Sequence, residues 1–167
     1  PVHRKRFIFQ VSFSLALIFI VTIQTFWPFL PVKGKVDVTN RYHIYNAIPG
    51  QLKIYLQTHP ELRNKRILAD NFQIPSMINF YLNPNLEASA LSINYHETLY
   101  SFLHPDEMFI GDDFLFLKRG ETFPKKFTPY FDEASLIQIF ESKRLGQKVA
   151  LYSLWSVVNY RGKFSAN

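Results

Sequence analysis

The segment RILADNFQIPSMINFYL, residues 66–82, decides the fold. Behind Arg66 stands a short apolar run of the kind that forms a strand buried on both faces. Asp70 and Asn71 follow at once, and their side-chain oxygens suit a helix N-terminus. Pro75 then falls in the first helical turn, where proline is tolerated. Ile74, Met77, Ile78, Tyr81 and Leu82 recur at helical spacing and make one apolar face. A strand passing through a cap into an amphipathic helix is the first half of a strand–helix–strand unit. Asn83-Pro84-Asn85 breaks the helix, and residues 88–93 read as the second strand. The crossover is long enough for the two strands to lie parallel.

Toward the C-terminus, residues 98–103 read as one helical turn closed by His104-Pro105. Residues 114–117, FLFL, read as a buried strand entered through Gly111-Asp112-Asp113. Residues 120–129 form a loop with Pro124 and Pro129. Residues 135–141 are β-rich but alternate unevenly, whereas 148–158 alternate Val149, Leu151, Ser153, Trp155 and Val157 against mixed neighbours. With the turn signal Lys143-Arg144-Leu145-Gly146 between them, these two segments read as an antiparallel hairpin. Toward the N-terminus, Tyr42, Tyr45, Ile48, Leu52, Tyr55 and Leu56 have helical spacing, interrupted by Pro49-Gly50. The regular helix is therefore expected to start near Pro49, with residues 32–48 as a connector and 49–167 as the folded domain. The expected fold class is α/β: a small sandwich with a mixed β-sheet flanked by helices.

One transmembrane helix is expected to precede that domain. No Lys, Arg, Asp or Glu occurs in residues 7–32. Residues 7–30, FIFQVSFSLALIFIVTIQTFWPFL, would extend roughly 36 Å as a helix, enough for ~30 Å of hydrocarbon. A cleaved signal peptide has a shorter apolar core and small residues at its cut. A buried core helix rarely carries so long an uncharged run, so residues 7–31 are assigned as a membrane span. Phe26, Trp27 and Phe29 gather where an aromatic belt would sit, and Pro28 and Pro31 end the helix. His3-Arg4-Lys5-Arg6 makes residues 1–6 a basic head. The positive-inside rule places that head in the cytoplasm and residues 32–167 outside. The chain opens on Pro1, as a fragment of a longer protein would.

Composition narrows the function. The chain has 167 residues, 19 basic against 13 acidic, and no cysteine. Disulfide scaffolds, thiol catalysis and Cys-ligated metals are thereby excluded. Three of the basic residues sit in the six-residue head, so the domain lacks the concentrated charge of a nucleic-acid binder. The absence of Asn-x-Ser/Thr sequons leans toward a bacterial membrane. No glycine-rich phosphate loop and no Gly-x-Ser-x-Gly elbow is present.

Several clusters remain as candidates. His96-Glu97, His104 and Asp106 are metal-ligand types without ligand spacing, and read as loop residues. Asp112-Asp113 reads as a turn feeding a strand, with cation binding or acid–base work the alternatives. Asp132-Glu133 reads as a solvated turn or local cap. Arg63, Lys65 and Arg66 can meet lipid phosphates above a bilayer, or form an ordinary solvated surface, as can Lys125-Lys126 and Lys143-Arg144. Tyr42, Tyr45, Tyr95 and Tyr100 are candidates to face a carbohydrate or a partner. Asn71 and Gln73 stand just past the carboxyl end of a strand, where open α/β sheets bind ligands, and their amides can bond a sugar hydroxyl. Alternatively, Asn71 only caps the helix and Gln73 satisfies a loop carbonyl.

The stretch Asp70-Asn71-Phe72-Gln73-Ile74, with Ser76 and Phe80-Tyr81-Leu82, resembles the strand–Asn-Tyr-Gln–helix–Phe-Tyr stretch of certain membrane glycosyltransferases. It lies in the C-terminal external domain of the polyprenyl-phosphate-sugar-dependent enzymes of GT-C type. These include bacterial lipid A aminoarabinose transferases and relatives of protein O-mannosyltransferases. Ser92-Ile93-Asn94, the entry Gly111-Asp112-Asp113-Phe114-Leu115-Phe116, and the ending Tyr160-Arg161-Gly162 are also similar, as is a last membrane helix leading into an α/β domain. The likeness covers roughly residues 66–162 plus the helix. It implies a multi-spanning parent that moves a sugar from a polyprenyl-phosphate carrier to a lipid or protein acceptor on the external face. The family's catalytic acidic residues lie in an external loop near its first membrane helix, which these residues do not include. The resemblance thus implies a non-catalytic piece without a cofactor of its own, any divalent metal being held elsewhere in the parent. Its partners would be the bilayer and the parent's remaining spans. Two other classes stay open: a bitopic envelope protein whose α/β domain binds a protein or carbohydrate, and a small anchored hydrolase using the Asp112-Asp113 or His96/His104 region.

Overall fold

A computed structural model describes residues 2–30, 37–82, 87–91, 99–103 and 109–162. The chain divides into two compact units, Pro1–His43 and Ile44–Asn167.

The first unit is dominated by helix α1, Val2–Phe26. Residues 3–26 are long and apolar enough to cross a membrane, and 6% of the most apolar window is buried. The basic residues Arg4, Lys5 and Arg6 belong to this helix rather than to a separate head. Gln24 closes its far end. The Gln24 Oε1 accepts from the backbone N–H groups of Phe29 and Leu30 at 3.1 and 3.0 Å, and Nε2 donates to Asp37 at 3.0 Å. These bonds satisfy amides that the end of a helix and a following proline leave without ladder partners.

Helix α2, Asn40–Thr58, corrects the expectation of a start near Pro49 and of a connector reaching residue 48. Proline costs a helix one hydrogen bond and a ring clash. Packing outweighs that cost here. Ile44, Ile48, Leu52 and Leu56 recur every fourth residue and are all buried in the second unit's core.

The second unit is a mixed five-stranded sheet ordered β2-β1-β3-β5-β4. Its strands are β1 (Ile67–Ala69), β2 (Ala88–Ala90), β3 (Phe114–Arg119), β4 (Glu133–Arg144) and β5 (Gln147–Val158). Strand β1 pairs parallel with both β2 and β3, as the segment 66–82 requires. Helix α3, Gln73–Leu82, makes the crossover between β1 and β2. The side chain of Asn79 fastens the end of that crossover to β2. Its Oδ1 accepts from Ala88 N–H at 3.0 Å and its Nδ2 donates to Ala88 C=O at 2.9 Å. A short helix α4, Leu99–Leu103, packs near β2.

Strand β3 sits between the parallel and antiparallel halves. Leu115 and Leu117 face α2 and α3, while Phe114 and Phe116 face the opposite layer. That second layer holds Phe109, Phe127, Phe131 and Tyr160, and its Phe127 comes from a 3-10 helix, Lys125–Tyr130, where a loop was expected. Both core layers are thus fed by one strand through period-2 alternation.

The expected hairpin is present, and both of its strands are longer than read. Pairing slips between Leu136 and Gln138, leaving Ile137 as an extra residue, which accounts for the uneven alternation. Its two-residue turn, Leu145-Gly146, has φ of +49° and +76°. Gly146 adopts this freely, but Leu145 pays for a left-handed backbone and is 76% exposed. Leu145→Asn is therefore expected to stabilise the protein by about 1 kcal/mol, read as a raised denaturant midpoint at unchanged m-value. An unchanged or lowered midpoint contradicts this account of the turn.

Candidate functional site

The exits of β1 and β3 leave the sheet in opposite directions. From β1 the chain turns into α3 and moves toward β2; from β3 it crosses to the opposite layer through Phe127 on its way to β4. Such a divergence between adjacent parallel strands opens a crevice at their carboxyl ends. A cleft of about 50 Å3 lies there, lined by Tyr45, Asn71, Gln73, Arg119 and Tyr152 over a floor of Ile74 and Met77.

Each lining group is placed by local structure. Asn71 stands two residues past Ala69 and caps α3, its Oδ1 accepting from the N–H groups of Gln73 and Ile74 at 3.0 and 3.3 Å. Its Nδ2 donates to Asp70 at 2.9 Å. The capping alternative thus holds for Asn71. The Gln73 amide is exposed and bonds no carbonyl among the described residues, so that half of the alternative is corrected. Arg119 follows Leu117 by two residues and so reaches the α2–α3 side of the sheet, directly across from Tyr152 in the β3–β5 ladder. No carboxylate pairs with Arg119 among the described residues. Tyr152 is 5% exposed, and its hydroxyl has no hydrogen-bond partner among them. Burial pushes the Tyr152 phenol above its ordinary value, with Arg119 pulling the other way, so it is a neutral O–H donor at physiological pH.

The remaining candidates lie apart from this cleft. Arg63, Lys65 and Arg66 precede β1 and stand at its other end. Arg66 pairs with Glu87 at 3.0 Å and Asp112 at 3.8 Å, and its guanidinium lies over the Phe109 ring. Lys65 reaches Asp113 at 3.7 Å, while Arg63 is exposed with no ion pair among the described residues. Asp113 also accepts from the N–H of Asn159 at 3.0 Å, so Asp112-Asp113 fastens chain ends in addition to forming a turn. His96, Glu97, His104, Asp106, Tyr95, Asn83-Pro84-Asn85 and Ser92-Ile93-Asn94 lie outside the described residues. Among the described residues, no group of three or more His, Asp or Glu could hold a metal. Tyr42 packs on Phe26. Tyr100 joins Phe72, Ser76 and Leu99 around a separate apolar cleft of about 320 Å3.

Asp132 is a local anchor: Asn159 Nδ2 and Arg161 Nε donate to it at 2.6 Å each. These bonds, that from Asn159 foremost, hold its carboxyl below the ordinary range. Sequence reading missed Arg119 and Tyr152. The signal for Arg119 was the parity of FLFLKR, which carries it to the face of Leu115 and Leu117.

Comparison with protein-family models, curated proteins and solved structures finds no match for this chain.

Asn71→Ala is expected to cost about 1 kcal/mol in chemical unfolding, the value of a lost N-cap; no measurable loss contradicts the assignment. Because the Asp132 pKa is lowered on folding, its contribution is complete above the unfolded value near about 4. It disappears as pH falls through that value to the lowered one. The thermal midpoint should therefore decline less steeply on acidification in Asp132→Asn than in the parent. Identical slopes contradict the anchoring role.

Proposed function

We propose that this chain is the last membrane span and external α/β domain of a polyprenyl-phosphate-sugar-dependent membrane glycosyltransferase of GT-C type. In this reading α1 crosses a bacterial inner membrane, its basic start lies in the cytoplasm, and Ile44–Asn167 lies on the periplasmic side. The domain recognises and does not transform: it borders the acceptor or donor path while catalysis belongs to upstream parts of the parent. One observation carries the reading. A membrane-length apolar helix precedes an α/β unit in which Asp70-Asn71-Phe72-Gln73 leaves a parallel strand beside a polar cleft. Among the described residues, that cleft is lined by amide, guanidinium and phenol groups over apolar side chains.

A second reading, a bitopic envelope protein that binds a partner, is favoured by a different feature. Phe72 and Leu99 are exposed around the α3–α4 cleft, an apolar surface suited to another macromolecule.

The two readings differ upstream. The gene 5′ to the codon for Pro1 is expected to encode several further hydrophobic spans and an acidic pair in the first external loop. A start codon immediately before Pro1 contradicts the glycosyltransferase reading and leaves the bitopic one. The purified chain is expected to transfer or hydrolyse no polyprenyl-phosphate sugar. Turnover by the chain alone contradicts the assignment of catalysis to the upstream parts.

A further inference from the structure

We infer that the cleft between the ends of β1 and β3 is an oxyanion site that takes the phosphoryl group of a small ligand, with Arg119 as counter-charge and Tyr152, Tyr45 and Gln73 as donors. The inference does not depend on the glycosyltransferase reading.

The inventory of the cleft favours an anion over a neutral sugar. Arg119 offers a guanidinium with N–H donors only, and Gln73 and the two phenols add an amide and two O–H groups. None of Tyr45, Gln73, Arg119 or Tyr152 spends a side-chain hydrogen bond on another described residue. The Tyr152 side chain is 5% exposed and lines this cleft, and its hydroxyl is committed to no other described residue, so it is a donor held in place for a bound oxygen. The start of α3 adds the partial positive charge of its first turn. Asn71 contributes position only, since its oxygen caps α3 and its amide is given to Asp70. Asp70 is the carboxylate whose charge acts on Tyr152, and its Oδ1 is held by Asn71 at 2.9 Å. Removing Arg119 would therefore leave a net negative surround.

Size narrows the ligand further. About 50 Å3 holds a few water-sized groups and falls well short of the roughly 300 Å3 that encloses a drug-sized molecule. A phosphoryl head fits, with its substituent pointing outward.

The test uses the full chain in phosphatidylcholine nanodiscs, titrated calorimetrically with inorganic phosphate, glucose 1-phosphate and glucose. Nanodiscs containing phosphatidic acid form a further arm. Saturable binding of phosphate or glucose 1-phosphate, and none of glucose, is expected. Loss of that binding in phosphatidic acid nanodiscs identifies a lipid head as the source of the group, and its persistence identifies a soluble ester. Arg119→Gln should weaken binding about 10- to 100-fold. Arg63→Gln, outside the cleft, should leave it unchanged. Tyr152→Phe should weaken binding several-fold without lowering the thermal midpoint, because the hydroxyl has no partner to lose. The proposal is overturned if neither phosphate compound binds, if glucose binds equally, or if Arg63→Gln weakens binding as much as Arg119→Gln.

Discussion

The surface of α1 is the constraint from which the functional account follows. Along residues 7–26 its side chains carry no charge and are mostly apolar, and Phe9, Phe13, Leu15, Ile18 and Phe19 are each more than half exposed. Covering one large apolar side chain is worth roughly 1.5–3 kcal/mol, so leaving this many in water would outweigh the net stability of an ordinary domain. Such a helix needs an apolar surround. Hydrocarbon supplies it in the proposed function, and the uncharged length of the segment matches the thickness of a bilayer core. Gln24 fits the same logic, because its amide carries the helix out of the apolar stretch with bonds to Phe29, Leu30 and Asp37.

Within the second unit, β3 has the equivalent role. Its residues Phe114 to Leu117 are fully buried, two on each face, and they join two core layers across one strand. Because β3 is parallel to β1 and antiparallel to β5, it is also where the sheet changes character. The chain leaving its carboxyl end diverges from the chain leaving β1, and the cleft follows from that divergence. Arg119 is in the cleft for the same reason that Leu117 is in the core: both obey the alternation of one strand. Packing and site are therefore one arrangement. A change that shifted the β3 register by one residue would bury Arg119 among the aromatic rings of the opposite layer and abolish the site.

What could be read from residue order alone follows the range of the interactions involved. The β1–cap–α3 passage was legible because strand, cap and helix face are encoded by adjacent residues. The Leu145-Gly146 hairpin was legible for the same reason. The passage of α2 through Pro49 was not, because the local penalty of proline is overcome by Ile44, Ile48, Leu52 and Leu56 packing on distant strands. The slip at Ile137 was felt as irregular alternation, yet its cause lies in the pairing with β5. The clamp of Asn79 on Ala88 left no signal, since an asparagine on a helix face has many uses. At the candidate site, Asn71 and Gln73 were reached through their place after a strand, and Tyr45 was named among several tyrosines. Arg119 and Tyr152 meet only across the β3–β5 ladder, a register that residue order does not print.

The central claim is that α1 crosses a bilayer and holds the α/β unit on its outer side. Because the chain has no native cysteine, single thiols report directly on topology. The decisive measurement is labelling of Thr122→Cys and His3→Cys by a membrane-impermeant maleimide in intact bacterial spheroplasts and again after lysis. The account predicts that Thr122→Cys reacts in intact spheroplasts while His3→Cys reacts only after lysis. Protection of Thr122→Cys until lysis, or equal reaction of both variants before it, would contradict the account.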